Sequence, residues 1–248
     1  MLSETRDFEL KQKSEQRLFE LKRKVTEAVQ QVGLEGQRAQ VALALDISGS
    51  MVDLFDRDVV QQVVERVLAL SIKFDDNGAV DVFLFGAHDY AVGELKEAEL
   101  FGYVNRVIRP GYPLEANTRY AGVIQRITHH YAPAPGLLGG LLGRKPAKQD
   151  PAYVLFVTDG DNSDPVEAEQ ALIAASNKPI FWQFVGVGVS NFSFLQRLDT
   201  LPGRHIDNAN FFQVNDIARI DDAELYRRLL GEFPAWLELA RRHGVLLA

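Results

Sequence analysis

Apolar residues fall along this chain in two alternating kinds of run, and the alternation predicts the architecture. Short continuous runs at residues 41–45, 153–158 and 180–187 read as strands buried on both faces, the pattern of parallel sheet. Between them lie longer stretches with helical spacing. In residues 6–32, which lack Gly and Pro, Leu18, Leu21, Val25, Ala28 and Val32 recur at alternating steps of three and four and line one helix face. In residues 58–74 the apolar positions are Val59, Val60, Val63, Val64, Val67, Leu68 and Leu70; their β-branching favours a strand, but the stretch is too long for one, so length decides for helix. Residues 80–85 and 90–95, joined by a short loop, predict an antiparallel hairpin. Further helices are expected at 98–107, ended by Arg109-Pro110-Gly111, at 117–131 with Asn117 or Thr118 as cap, from Pro165 to about Ser176, at 192–198, at 220–230 and at 236–245, the last two separated by Pro234. An edge strand is expected at 211–214.

Strands separated by helices give an α/β fold: a doubly wound, mostly parallel sheet of about six strands with one antiparallel edge strand, flanked by helices. The expected organisation is an N-terminal amphipathic helix over 1–36, packing on the domain that follows, and that domain over 37–248, its closing helices at 216–248. Residues 132–151 break the composition with Pro133, Pro135, a Gly-Leu-Leu-Gly repeat at 136–143 and the basic Arg144, Lys145 and Lys148, and are expected to form a flexible surface insert.

Composition narrows the function. At 248 residues, 46% hydrophobic and 25% charged, the chain has the makeup of a globular domain. A net charge of −7 argues against a nucleic-acid surface and gives a favourable background for cations. With no cysteine there are no disulfides, thiolate zinc sites or cysteine nucleophiles, and no apolar run approaches membrane-spanning length, so a cytoplasmic location is expected.

The chemistry sits where the strands end. The 41–45 run gives out into Asp46-Ile47-Ser48-Gly49-Ser50, and the 153–158 run into Asp159-Gly160. In open α/β sheets ligands bind at the carboxyl ends of the strands, near the point where strand order reverses. If the two strands are neighbours there, their loops converge with a third carrying Thr118. Asp46, Ser48, Ser50, Thr118 and Asp159 offer oxygen alone, which suits Mg2+, Mn2+ or Ca2+. Asp161 and Asp53 are candidates for an outer shell, although exposed loop acids with no role are commoner. Asp164, Pro165 and Glu167 match the cap, first-turn proline and acidic third position of a capping box. Gly186-Val187-Gly188 falls short of a dinucleotide fingerprint because Asn191 stands where the third glycine belongs. His129 and His130 fall on a helix exposed on one side, and His88, His205 and His243 have no partner at ligand spacing, so all five read as structural or surface residues.

The Asp46-Ile47-Ser48-Gly49-Ser50 segment, the downstream Thr118 and Thr158-Asp159-Gly160 together resemble the metal-ion-dependent adhesion site of von Willebrand factor A (vWA) domains, over roughly residues 38–215. The N-terminal helix, the Val-Ala-Leu-Ala-Leu-Asp lead-in and Asn117-Thr118-Arg119-Tyr120 look most like bacterial A-domain proteins associated with tellurium resistance and stress response. The resemblance implies that Ser48, Ser50 and Thr118 ligate the ion through hydroxyls, that Asp46 and Asp159 act directly or through water, and that a partner protein's Asp or Glu carboxylate fills the open position. One departure stands out: Glu115-Ala116-Asn117 replaces the glycine-rich lead common before the threonine.

Two other functions are compatible with the same residues. An aspartate at a strand exit beside a cation also describes phosphohydrolases with an aspartyl nucleophile, here Asp46, although Ser48 stands where such enzymes usually carry a second Asp. Alternatively, a scaffold would bind through the N-terminal helix or the 136–148 insert. Nucleophile-elbow, phosphate-loop and zinc-helix motifs are absent from the sequence, which favours binding over turnover.

Overall fold

The computed structural model describes residues 2–75, 77–133, 150–160 and 162–247. Its sheet has the order β3-β2-β1-β4-β5-β6, from β1 (Gln40–Asp46), β2 (Val80–Phe85), β3 (Asp89–Leu95), β4 (Ala152–Thr158), β5 (Ile180–Val187) and β6 (Ala209–Val214). All neighbours are parallel except the β2–β3 hairpin. The chain leaves β1 toward β2 on one side and later returns to place β4 on the other, so strand order reverses between β1 and β4.

Alternation along β1 divides the core into two layers. Val41, Leu43 and Leu45 face one side with α1 (Leu2–Gln31), α3 (Val59–Phe74), α8 (Asp222–Leu230) and α9 (Phe233–Arg242). Ala42 and Ala44 face the other with α5 (Ala121–Tyr131), α6 (Pro165–Ala175) and α7 (Ser193–Asp199). Among the described residues the further short helical pieces include a 3-10 turn at Gly49–Met51 leading into α2 (Val52–Asp56), and α4 (Arg109–Gly111).

The apolar stripe of α1 packs as expected on the domain, against α3 and α8. Leu18, Leu21, Val25, Ala28 and Val29 are buried, and each buried Leu or Val contributes about 1.5–3 kcal/mol. Phe8 is exposed in the turns before the stripe, and Phe19, next to Leu18 on the helix, is exposed on the other face.

Several local expectations are corrected. Residues 98–107 are not one helix: a 3-10 turn at Glu97–Glu99 precedes a π-helix at Val104–Ile108, which runs on through Pro110. The segment ends at Gly111, so Arg109-Pro110-Gly111 closes it as expected. Pro234 sits inside the first turn of α9, not between the closing helices. Asp221 caps α8, accepting from Ala223 N and Glu224 N. Most of the predicted insert, residues 134–149, lies outside the described residues.

Candidate metal centre

Asp46 closes β1, and the Leu45–Val157 pairing puts Thr158 beside it one step further along. Both continue the face that carries Ala44 and Phe156, so their side chains meet at the strand ends. Thr158 Oγ1 donates to Asp46 Oδ2 at 2.5 Å, and Ser48 N donates to Asp46 Oδ1 at 2.6 Å. From the turn that follows, Ser48 Oγ lies 3.0 Å from Ser50 Oγ, and Ser50 Oγ donates to Asp159 Oδ1 at 2.7 Å. Four of the five expected site residues, Asp46, Ser48, Ser50 and Asp159, are thus joined in one hydrogen-bonded chain across two loops. Asp46 is 0% exposed, while Ser50 opens to solvent, so the cluster has a buried floor and an accessible mouth.

Thr118 is placed on the adjoining loop. Its carbonyl accepts from Ser163 N (2.9 Å) and Ser163 Oγ (3.1 Å), and its N–H donates to Asn117 Oδ1. Among the described residues no hydrogen bond links its hydroxyl to the other four. The predicted cap on α5 is corrected as well. Neither Asn117 nor Thr118 caps that helix; Asp164 does so from across the crevice, accepting from Tyr120 N (2.8 Å) and Ala121 N (2.9 Å). Asp164 makes no side-chain cap bond to its own helix, so the capping box with Glu167 does not form. The buried carboxylate, at 4% exposure, finds two free N–H groups on the neighbouring helix instead.

Two contributors escaped the motif reading. Thr158 was visible as the residue before Asp159, but its bond to Asp46 depends on strand register. Tyr120, fully buried, sets its hydroxyl 2.7 Å from Gly160 O and 3.2 Å from Thr158 Oγ1, tying the third loop to the floor.

The electrostatics are those of a site short of positive charge. Burial pushes the Asp46 carboxyl up to about 6, outweighing the hydrogen bonds from Thr158 and Ser48 that favour its charged form. Burial also raises Asp159, against the Ser50 hydrogen bond. No Lys, Arg or His side chain pairs with either acid among the described residues. Nor do three His, Cys, Asp or Glu side chains gather to hold a metal there, so a cation in this crevice would draw on hydroxyls as well as the two acids. That donor set, all oxygen with two carboxylates, fits a hard divalent ion.

Other candidates fall away from the crevice or outside view. Asp53 is exposed and paired with Arg57 at 3.1 Å; Asp161 lies outside the described residues. All five histidines are exposed, with His88 bonded to Glu115 and His130 to Asp81. The glycine at 186 has a packing reason, since a Cβ there would meet the Phe192 ring at 2.8 Å.

Comparison with known proteins agrees with this fold. A family model described as vWA-TerF-like, "vWA found in TerF C terminus", matches residues 38–246. The chain belongs to that family. It is 40% identical over 210 residues to the uncharacterized protein YcbR of Bacillus subtilis (strain 168), covering 84% of this chain and 81% of that protein. Among solved structures, a von Willebrand factor type A protein from Catenulispora acidiphila aligns with TM-score 0.54 at 15% identity over 79% of this chain and 43% of its own. Proximal thread matrix protein 1 from the mussel byssus aligns with TM-score 0.51 at 13% identity over 78% and 47%. The chain spans less than half of each of these two proteins, and at such identities they show the shared fold. The protein is therefore a vWA domain of the TerF-like type, a class of protein-interaction module. Among the described residues no helix is long and apolar enough to cross a membrane.

Proposed function

We propose that this vWA domain binds a partner protein through a divalent cation held by Asp46, Ser48, Ser50, Thr118 and Asp159, with Mg2+ as the first choice and Mn2+ or Ca2+ as substitutes. The observation that carries the reading is the buried Asp46 carboxylate, without a counter-cation among the described residues, at the base of an oxygen-lined crevice open at Ser50. A bound ion would supply a Lewis-acidic position at that mouth. Asp46 and Asp159 balance its charge, and the neutral hydroxyls leave it electrophilic enough to attract one more carboxylate, from an Asp or Glu of the partner. The setting implied by the family resemblance is a bacterial tellurite or stress response.

An aspartyl nucleophile is disfavoured because Ser48, a hydroxyl paired with Ser50, holds the position two after Asp46 where such enzymes usually carry a second Asp for acid–base work.

Saturating Mg2+ is expected to raise the melting temperature. At a hundredfold excess over Kd the linkage is worth about 2.7 kcal/mol, or roughly 5–10 °C for a domain of this size. The effect is expected to shrink as pH falls from 7.5 to 5, because the ion must then displace a proton from a carboxyl that titrates near 6. In metal-free buffer the sign reverses: a folded pKa raised above its ordinary 3.8 contributes stability at low pH, and this is lost as pH rises through about 6. Thermal melts with Mg2+ and with chelator at both pH values check this. A Mg2+ increment of equal size at pH 5 and 7.5 would contradict it.

A further inference from the structure

We infer that Glu115 is a positioning residue of the crevice, holding the 48–50 loop in place by locking it to the β2–β3 hairpin; as a statement about cation affinity this rests on the reading above. The main chain of Glu115 runs beside the exit of β1. Glu115 N donates to Ile47 O at 2.8 Å, Gly49 N donates to Glu115 O at 2.7 Å, and Ser48 and Glu115 form an isolated parallel bridge. Its side chain turns the other way, into the hairpin. Oε2 accepts from His88 N at 2.9 Å, and Oε1 accepts from Tyr90 Oη at 2.6 Å with His88 Nδ1 at 3.1 Å. The carboxylate is only 13% exposed, and these donors hold it below the usual range against the effect of burial.

The hairpin is shaped to receive it. At Gly86 a Cβ would lie 2.5 Å from Glu115 Oε2 and 2.9 Å from its Cβ, so only glycine leaves room. Tyr90 is braced in turn by Tyr112, with ring centroids 5.3 Å apart and edge to face. The hairpin also takes hold beyond Thr118, where Arg119 N donates to Gly86 O at 2.8 Å. Thr118 therefore sits between two points of attachment to one rigid hairpin, and Ser48 and Gly49 hang on the first of them. With its oxygens turned to hairpin donors, Glu115 acts on the crevice through the loops it joins. The glutamate that replaces the usual glycine-rich lead has this as its physical role.

Removing a group that orients metal-binding side chains typically weakens affinity 10–100-fold. The test uses the whole chain: Mn2+ binding by calorimetry, and hydrogen exchange by mass spectrometry in metal-free buffer, on wild type, Glu115→Ala, Glu115→Gln and Tyr90→Phe. Glu115→Ala is expected to weaken Mn2+ binding at least tenfold and to speed exchange at residues 47–50 as well as 86–90. Glu115→Gln, which keeps one acceptor, and Tyr90→Phe are expected to fall in between on both readouts. Wild-type Mn2+ affinity in Glu115→Ala, or faster exchange confined to 86–90, would overturn the inference. If wild type takes up no Mn2+, the cation reading fails and the exchange data alone decide whether Glu115 positions the loop. If Glu115→Ala does not fold, Tyr90→Phe decides by the same two readouts.

Discussion

Replacing Asp164 with alanine is expected to destabilise the domain by about 2–4 kcal/mol, from two buried backbone donors left without acceptors and a lost helix cap. The carboxylate accepts from Tyr120 N, Ala121 N and Asn162 Nδ2; the two backbone donors belong to buried residues, and Asn162 is half-buried. Asp164→Asn retains one acceptor and is expected to cost about half as much. The loss should also reach the crevice, because the loop that Asp164 anchors carries Thr118 on one side and Tyr120 on the other. Urea unfolding of both variants measures the first effect; a near-wild-type midpoint for the alanine variant would mean that the cross-loop cap carries little of the fold.

The second large effect is expected at Asp222, about 3 kcal/mol or more on substitution with alanine. Asp222 Oδ1 accepts from Arg66 Nε at 2.9 Å and from Arg17 Nη2 at 2.8 Å, joining α8 to α3 and α1. The two arginines are unequal. The Arg66 side chain is 4% exposed, so losing its carboxylate leaves a buried charge whose other described acceptor is Gln62 O at 3.3 Å. Arg17 is 35% exposed, and its share resembles a surface pair, worth at most about 1 kcal/mol. Asp222→Ala should therefore cost several times more than Arg17→Ala in chemical denaturation. Adding Arg66→Met to Asp222→Ala should recover much of the loss, since the penalty lies in the unpaired charge and not in the missing attraction. Equal costs for the two single variants would contradict this division.

What the sequence made legible is what depends on local period. The three continuous apolar runs became β1, β4 and β5, and the alternating pair became the antiparallel hairpin, because burial on both faces or on one leaves its mark residue by residue. The convergence of Asp46 and Asp159 was also legible, since two acid-bearing strand ends meet once the strands neighbour each other at the reversal of sheet order. The contacts between loops were not legible. Asp164 carried every local sign of capping its own helix and caps α5 instead, because the fold brings the open N–H groups of Tyr120 and Ala121, 40-odd residues earlier in the chain, within hydrogen-bond distance of its carboxylate. Glu115 looked like a departure from a pattern and proved to be a strut, a role set by the absence of a side chain at Gly86. Arg109-Pro110-Gly111 did close the helical stretch as read, whereas the π-helix that leads into it left no sign in the apolar spacing.

The central claim is that the crevice at the β1–β4 strand ends holds one divalent ion through Asp46 and its neighbours. Asp46→Ala removes the carboxylate outright but also the acceptor of Ser48 N and Thr158 Oγ1, so its fold is checked by circular dichroism before binding is measured, and Asp46→Asn, which keeps an acceptor, replaces it if the alanine variant does not fold. The measurement is Mn2+ uptake at pH 7.5 by equilibrium dialysis, wild type against Asp46→Ala. One ion bound per wild-type chain and none per variant chain is the predicted result; no Mn2+ bound by wild type at millimolar concentration, or equal uptake by both, would contradict it.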